Sequence, residues 1–203
     1  MALIKSLKGR SVSWNQLVKN GDFNGNINGW SAYSSTCISA SYGNNSLIAT
    51  ALKQGYGYTF GVYITVKKWD TSHKYFVKSF IKSSANQSFT YEFGNAIQTA
   101  FHVEAGVWTK MSAVNSGVSA TTQFIIKPNR ANLPMSVGDT YEVKNVTIID
   151  LTLIYGEGNE PSTAEEFEQD YFAWFGKKLT YEPYSAGEIR NFSMSGIKTT
   201  GFN

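Results

Sequence analysis

Residues Gly138 to Phe175 read GDTYEVKNVTIIDLTLIYGEGNEPSTAEEFEQDYFAWF. The segment from Thr140 to Asp150 alternates polar and apolar residues, which is typical of a long β-strand with one buried side. Gly156 and Gly158 then mark a turn. The residues after this turn have the pattern of a capped helix, so the stretch predicts a strand, a turn and a helix in succession.

The helix is predicted over about 162–175. Ser162 or Thr163 can cap its first turn, and Glu165 or Glu166 can complete a capping box at the positive end of the helix dipole. Gly176 is a suitable residue for the end of the helix. Residues spaced at i, i+4, i+7 and i+8 form one apolar face, which we expect to pack on a sheet. They are Phe167, Tyr171, Trp174 and Phe175.

The rest of the chain is typical of an all-β protein. Aromatic residues make up 15% of the 203 residues, with 18 glycines and only 4 prolines, and short segments rich in β-branched and aromatic residues alternate with turns. The predicted strands are Ser11 to Val18, Thr36 to Ser41, Ser46 to Ala51, Tyr56 to Val66, Lys74 to Ser83, Ser88 to Phe93, Gln98 to Glu104, Trp108 to Val114, Thr122 to Lys127 and Thr140 to Asp150. Many short antiparallel strands at this spacing favour a jelly-roll β-sandwich with one short C-terminal helix.

The segment from Tyr56 to Val66 alternates almost strictly. As one continuous strand, it would place Tyr63 on an open face together with Gly57 and Gly61, where a ligand could approach the backbone closely. The opposite face would be buried. It would carry Tyr56, Tyr58, Phe60, Val62, Ile64 and Val66.

A hairpin is predicted from Ser88 to Glu104. Gly94-Asn95 suits its turn, because both residues tolerate positive φ. The apolar side chains of the two strands share one face, and Glu92 and His102 point to the other.

The composition excludes several classes of partner. Charged residues make up 16% of the chain and the net charge is +3, so we expect neither nucleic-acid nor membrane binding. One cysteine, Cys37, excludes an intramolecular disulfide and is interpreted as a small buried strand residue. The sequence has no apolar run of membrane length and no signal-peptide pattern, so it does not indicate secretion by a host.

Two blocks of sequence resemble a known family. Asn20-Gly21-Asp22-Phe23, followed by Gly29-Trp30, is similar to the first strand of carbohydrate-binding modules of the cellulose- and xylan-binding sandwich type. Tyr141 to Ile148 resembles the family's final strand. The resemblance implies that Phe23 and Trp30 lie in the core.

Many members of this family hold a structural calcium ion with acidic residues in both blocks, because a hard cation prefers carboxylate oxygens. This chain has Asn24 and Lys144-Asn145 at those places, and a lysine would repel the ion. We therefore expect no calcium and no other cofactor. The alternative is an altered site built on Asp22 and backbone carbonyls.

The phrase from Asp150 through Gly156-Glu157-Gly158-Asn159-Glu160-Pro161 to Glu168 resembles the end of sugar-binding modules in phage tails. The chain is similar to the modules inserted in evolved distal tail proteins of phages of lactobacilli and related Gram-positive hosts. This resemblance implies a receptor-binding protein of the phage tail, located in the virion, whose partners are bacterial cell-wall polysaccharide and other tail proteins. Residues 1–203 would form one module with its core at about 11–155, and 1–10 and 185–203 would be linkers to a larger tail protein.

Sugar binding requires flat aromatic faces for pyranose rings and polar groups for hydroxyls. The predicted binding residues are therefore aromatic or polar side chains in loops and on polar strand faces, with Trp69 as the first choice. The full set is Trp69, Tyr63, Glu92, Gln98, His102, Asn129 and Arg130.

Two other functions remain open at this stage. A polysaccharide depolymerase would need two carboxylates facing each other across a sugar, and none of the acidic residues Glu92, Glu104, Asp139, Glu142 and Asp150 has a diagnostic spacing. His73 and His102 show no metal-ligand spacing, so we expect no enzymatic activity. A structural or oligomerisation domain of the tail is the other alternative.

Overall fold

Antiparallel β-strands form most of the computed structural model, which describes residues 11–66, 70–93, 96–97, 100–116, 122–129, 134–184 and 188–191. None of the helices in these ranges is both long and apolar enough to cross a membrane. The strands are β1 (Ser11–Trp14), β2 (Trp30–Ala32), β3 (Ile38–Gly43), β4 (Ser46–Ala51), β5 (Val62–Thr65), β6 (Lys74–Ser83), β7 (Gln87–Phe93), β8 (Ala96–Ile97), β9 (Phe101–Val103), β10 (Thr109–Ser116), β11 (Gln123–Pro128), β12 (Thr140–Asp150) and β13 (Glu188–Asn191), and the helices are α1 (Leu151–Tyr155) and α2 (Ala164–Phe175).

Two sheets face each other across the core. The back sheet has the strand order β10-β6-β12-β4-β3, and the front sheet has the order β2-β5-β11-β7-β8, with β9 also paired to β7. The paired strands in both sheets are antiparallel. This arrangement confirms the predicted jelly-roll β-sandwich with a C-terminal helix.

Alternate residues of each strand fill the space between the sheets. In β7, Phe89, Tyr91 and Phe93 are buried in this core. The Tyr91 hydroxyl donates to the backbone oxygen of Met111 at 2.8 Å and lies 2.8 Å from Ser79 Oγ, so it connects the front sheet to the back sheet. A buried phenol needs such partners, because an unpaired hydroxyl in an apolar interior is costly.

The aromatic pair near the front of the chain belongs to the core, as predicted. Phe23 is completely buried and Trp30 is 4% exposed, with their rings edge-on at 5.4 Å. Trp30 Nε1 donates to the backbone oxygen of Lys19 at 3.4 Å. Both rings therefore stabilise the sandwich and are not available as flat surfaces for a ligand.

Helix α2 packs on the outer face of the back sheet. Thr163 caps the helix and forms the predicted capping box with Glu166, and Gly176 ends it in the left-handed conformation. Phe167 and Tyr171 are buried against Phe76 of β6, in a second core outside the sandwich. The predicted apolar face of the helix is thus confirmed.

Strands β1 and β13 pair with each other outside the two main sheets. Ser11 lies opposite Asn191, and Trp14 lies opposite Glu188. Gln16, just after β1, is buried and donates from Nε2 to the backbone oxygens of Val146 and Glu182, both at 3.1 Å. The first and last described segments of the chain therefore leave the sandwich side by side.

Two predictions about local structure are wrong. Tyr56 to Val66 is not one strand, because Tyr58–Phe60 forms a 3-10 turn after Gly57, whose φ is 78°, and β5 begins only at Val62. Cys37 lies in a turn before β3 and is half-buried, whereas a buried strand position was expected. The hairpin turn predicted at 94–95 lies outside the described residues.

Candidate functional site

The outer face of the front sheet carries a row of side chains that crosses four strands. Ser31 of β2 is opposite Tyr63 of β5, Tyr63 is opposite Ile125 of β11, and Ile125 is opposite Glu92 of β7. The sequence neighbours of these residues belong to the core between the sheets. Because side chains alternate along a strand, the row itself points away from the core.

Three tyrosines gather on this face. The backbone N–H of Tyr33 donates to Gly61 O at 2.8 Å and continues the pairing of β2 with β5. Tyr33 is two residues after Ser31, the partner of Tyr63, so it lies on the same face as Tyr63, in the next row of side chains. The ring of Tyr33 lies 5.8 Å from that of Tyr63 and 5.9 Å from that of Tyr58. We call the surface formed by Tyr33, Tyr58 and Tyr63, with Glu92 and Lys127, the tyrosine face.

Tyr58 reaches this face because the chain turns sharply beside it. Gly57 has positive φ, a conformation that other residues rarely adopt, and the turn after it takes Tyr58 out of the alternating pattern. At Gly61, an added Cβ would lie 2.9 Å from Ile125 Cγ2 and 3.1 Å from both Lys127 Cβ and Tyr58 O. A glycine is therefore needed where the turn closes over the sheet.

An ion pair lies beneath the tyrosines. Lys127 Nζ contacts Glu92 Oε2, and the same ammonium group is 3.3 Å from the centre of the Tyr58 ring. Glu92 is 1% exposed and Lys127 is 5% exposed. Removing one charge of such a pair would leave the other buried and uncompensated, at a cost of about 3–5 kcal/mol. The base of the tyrosine face is thus polar but carries no net charge from this pair.

The tyrosines differ in orientation and in exposure. Tyr33 is 43% exposed, whereas Tyr58 and Tyr63 are half-buried. The plane of Tyr33 makes an angle of 44° with that of Tyr58 and of 71° with that of Tyr63. Rings inclined in this way do not form one flat platform; they provide separate apolar surfaces around a polar base.

The structure brings part of the predicted binding set together. Tyr63 and Glu92 share one row, and His102 lies on the same outer face because it is opposite Ser88 of β7. Asn129 lies on the other side of Ser88 from His102, and its backbone N–H donates to Ser88 O at 2.8 Å. Ser88 and Glu92 are four residues apart on one strand, which corresponds to about 13 Å.

His102 is exposed and Asn129 is half-buried. Because both are neighbours of Ser88, they lie towards the end of the tyrosine face that is further from Tyr63. Trp69, Gln98 and Arg130, the other predicted residues, lie outside the described ranges.

Sequence reasoning missed Tyr33, Tyr58 and Lys127. Tyr58 was assigned to the buried side because strict alternation was extended through Gly57, and that glycine was the available signal for a turn. Lys127 comes directly after the core residue Ile126 and alternates with it, so its outward direction could have been predicted. Its contact with Glu92, 35 residues away, leaves no local pattern in the sequence.

The acidic residues considered for catalysis are mostly held in other interactions. Glu142 pairs with Lys82 at 2.5 Å, and Asp150 pairs with His73 at 2.8 Å on the opposite side of the sandwich. Asp139 accepts from the backbone N–H of Ser136. Across the described ranges, no group of three or more His, Cys, Asp or Glu side chains is placed to hold a metal ion.

His73 and Asp150, at the start of α1, have shifted pKa values. Burial lowers the pKa of His73, but the hydrogen bond and charge of Asp150 outweigh it and raise the pKa overall. Burial raises the pKa of Asp150 in turn, while its bonds from His73 and from the backbone N–H of Leu153 favour the ionised form. We assign the proton to His73, because Asp150 also accepts the bond that caps α1.

No protein-family model matches the sequence, and no curated protein matches it. Similar solved structures include a CBM4 protein, with 9% identity, a TM-score of 0.48 and coverage of 60% of this chain and 94% of that one. BiXyn10A CBM1 has 12% identity, a TM-score of 0.48 and coverage of 66% and 97%. The enzymatically active domain of tailspike protein 4 from bacteriophage CBA120 has 12% identity, a TM-score of 0.46 and coverage of 66% and 21%. At these identities and TM-scores, the likeness assigns no function to the chain.

Proposed function

We propose that the tyrosine face binds a single polysaccharide chain and that the protein does not cleave it. The observation that carries this proposal is the cluster of Tyr33, Tyr58 and Tyr63 above the buried Glu92–Lys127 pair. Aromatic rings contact the apolar faces of pyranose rings, while hydroxyl and charged groups bind sugar hydroxyls. The tyrosines of this face carry both rings and hydroxyl groups, and the buried Glu92–Lys127 pair supports them.

The inclination of the rings favours one glycan chain over a flat array of chains. A planar array needs coplanar rings, and the planes of Tyr33 and Tyr63 differ by 71°. A single chain can turn its successive sugars to meet each ring. With one or two stacked sugars, we expect a binding free energy of about −4 to −6 kcal/mol, which corresponds to millimolar to high-micromolar affinity.

We further propose that this binding attaches a phage tail to bacterial cell-wall polysaccharide. The sequence block at Asp150 to Glu168 supports this proposal, because it resembles the end of sugar-binding modules in phage tails. The block at Asn20 to Trp30, which resembles cellulose- and xylan-binding modules, supports sugar binding. The pairing of β1 with β13 also supports the proposed attachment, since a module inserted in a larger tail protein must leave and rejoin its host at one place. Several copies on one virion would raise the effective affinity by roughly 10² to 10⁴.

A decoration assay tests this function. A fluorescent fusion of the full chain is added to host cells, and purified wall polysaccharides are added as competitors. Tyr33→Ala is expected to reduce labelling about tenfold, because it removes the most exposed ring of the tyrosine face.

Tyr42→Ala is the matched control. Tyr42 is 40% exposed, close to the 43% of Tyr33, but it belongs to β3 of the back sheet. Labelling should be unchanged in this variant, and both variants should unfold at the same temperature as the parent. Equal labelling by both variants would remove the tyrosine face from the binding site, and reducing ends released from cell walls would contradict the absence of cleavage.

A further inference from the structure

A second cleft lies on the other side of the sandwich, between α2 and the outer face of the back sheet. Its volume is about 620 Å³, which is within the range of ligand-binding pockets. We call it the helix cleft. It is lined by Lys78, Phe80, Lys110, Glu168, Phe172 and Leu179, among others.

Two aromatic rings border the helix cleft. Phe172 is 54% exposed, although it is only one residue from the buried Tyr171 of α2. Phe80 is half-buried on β6, and its neighbour Ile81 faces the core of the sandwich. An exposed phenylalanine beside a cleft provides an apolar surface that helix packing does not use.

Three lysines (Lys78, Lys110 and Lys178) and two carboxylates (Glu165 and Glu168) line the helix cleft. Glu168 lies between Lys78 and Lys110, at 2.7 Å from each. Lys144 does not line the cleft but is in the same row as Phe80 and Lys110, and its ammonium group is 3.7 Å from the centre of the Trp108 ring. This contact attracts the ammonium group to the ring but does not neutralise its charge.

Lys178, at the end of the cleft, is exposed. Within the described residues, neither Lys144 nor Lys178 has a carboxylate at ion-pair distance. Glu165 and Gln169, on the cleft side of α2, add polar groups for hydroxyls. The cleft thus combines aromatic rings, hydrogen-bonding groups and one more lysine than carboxylates.

We infer that the helix cleft is a second ligand site, which binds sugar polymers that carry carboxylate or phosphate groups. Phe172 and Phe80 contact the apolar face of a sugar, while Lys178 and Lys144 attract its anionic substituent. The tyrosine face lies on the opposite sheet, so the two surfaces are separate. This inference does not depend on what the tyrosine face binds.

Three dextrans of equal length test the inference with the full chain: unmodified, carboxymethylated and phosphorylated. Each dextran is cast in a separate native gel. The degree to which that gel slows the protein, relative to a gel without polymer, measures the affinity of the protein for that dextran. We expect retardation by at least one charged dextran beyond that by unmodified dextran, and weaker retardation at high salt. The two charged polymers distinguish a carboxylate ligand from a phosphate ligand.

Phe172→Ala and Lys178→Gln should each weaken the extra retardation by the charged polymer about tenfold. Lys53→Gln is the charge-matched control, because Lys53 is exposed and does not line the cleft. Tyr33→Ala should leave the difference between charged and unmodified dextran unchanged.

Three results would overturn the inference. One is an absence of extra retardation by either charged polymer. The second is an equal loss in Lys178→Gln and Lys53→Gln, which would indicate attraction by net charge alone. The third is that the charged dextran slows the Phe172→Ala variant as much as it slows the parent protein. Each of these results leaves the decoration assay on the tyrosine face unaffected, so failure of one proposal is distinguishable from failure of the other.

Discussion

The tyrosine face and the helix cleft are built on the outer sides of the same sandwich, but they handle charge in opposite ways. On the tyrosine face, Lys127 and Glu92 neutralise each other and are almost completely buried. In the helix cleft, Lys178 is exposed and has no carboxylate partner among the described residues. The two surfaces therefore differ in whether their exposed side carries an unpaired cation.

The two regions also differ in the elements that support them. Paired strands and one glycine-dependent turn form the tyrosine face. The helix cleft exists only while α2 is docked on Phe76 and its neighbours. Changes to the helix should therefore alter one region without altering the other.

The largest expected effect comes from breaking the pair under the tyrosines. Glu92→Gln leaves the ammonium group of Lys127 buried without a counter-charge, and we expect the free energy of unfolding to fall by about 3–5 kcal/mol. Urea denaturation measures this change. After correction for the fraction of folded protein, Glu92→Gln should bind the charged dextrans as well as the parent does.

Glu142→Gln is the control for this prediction. Glu142 pairs with Lys82, whose side chain is 30% exposed, so water can compensate its charge and the loss should be about 1 kcal/mol or less. Losses of the same size in both variants would mean that burial does not set the cost of breaking these pairs.

A smaller effect is expected from removing the cap of α2. Thr163→Ala deletes the hydroxyl that accepts from the backbone N–H of Glu166 at 3.2 Å, at a cost of about 1 kcal/mol. Hydrogen exchange in α2 should become faster. Under conditions in which the helix opens without unfolding of the whole protein, exchange in β5 and β11 should not change.

Thr163→Ser keeps a capping hydroxyl and should behave like the parent. Faster exchange in the front-sheet strands of Thr163→Ala, to the same degree as in α2, would show that the two regions unfold together and are not supported independently.

The smallest effect is pH-dependent and belongs to the helix side. Asp150 raises the pKa of His73, so protonated His73 stabilises the folded state. This contribution is present below the unfolded pKa and is lost as pH rises through the folded pKa. The parent should therefore exceed His73→Gln in stability by about 0.5 kcal/mol near pH 6, and this difference should shrink towards pH 9.

Urea denaturation of both proteins at three pH values measures this trend. His102→Gln is the matched control, because His102 is exposed and has no carboxylate at ion-pair distance within the described ranges. A stability difference between the parent and His73→Gln that grows towards high pH would contradict the assignment of the proton to His73.

Local patterns predicted much of this fold. Strands β6 and β12 have the predicted bounds, and the capping box of α2 was read from Thr163 and Glu166. These features depend on alternation, capping and turn chemistry, which act over a few residues. The outward direction of Tyr63 and Glu92 was predicted from the same alternation.

The rest of the candidate site could not be predicted in this way. Tyr33 joins Tyr63 only through the pairing of β2 with β5, and Lys127 meets Glu92 only through the pairing of β11 with β7. Such contacts depend on strand order, which one sequence does not reveal. Tyr58 was wrongly assigned to the buried side, because the chain forms a turn after Gly57 where a continuous strand was predicted. The roles of Trp69, Gln98 and Arg130 in binding stay predictions.

The antiparallel ribbon of β1 and β13 has a mechanical consequence for an inserted module. Ser11 and Asn191 lie opposite each other, so a pull applied to both residues from that end acts on both strands in the same direction. The load is then divided between the two strands. The cross-strand hydrogen bonds, which lie perpendicular to that pull, carry little of the load.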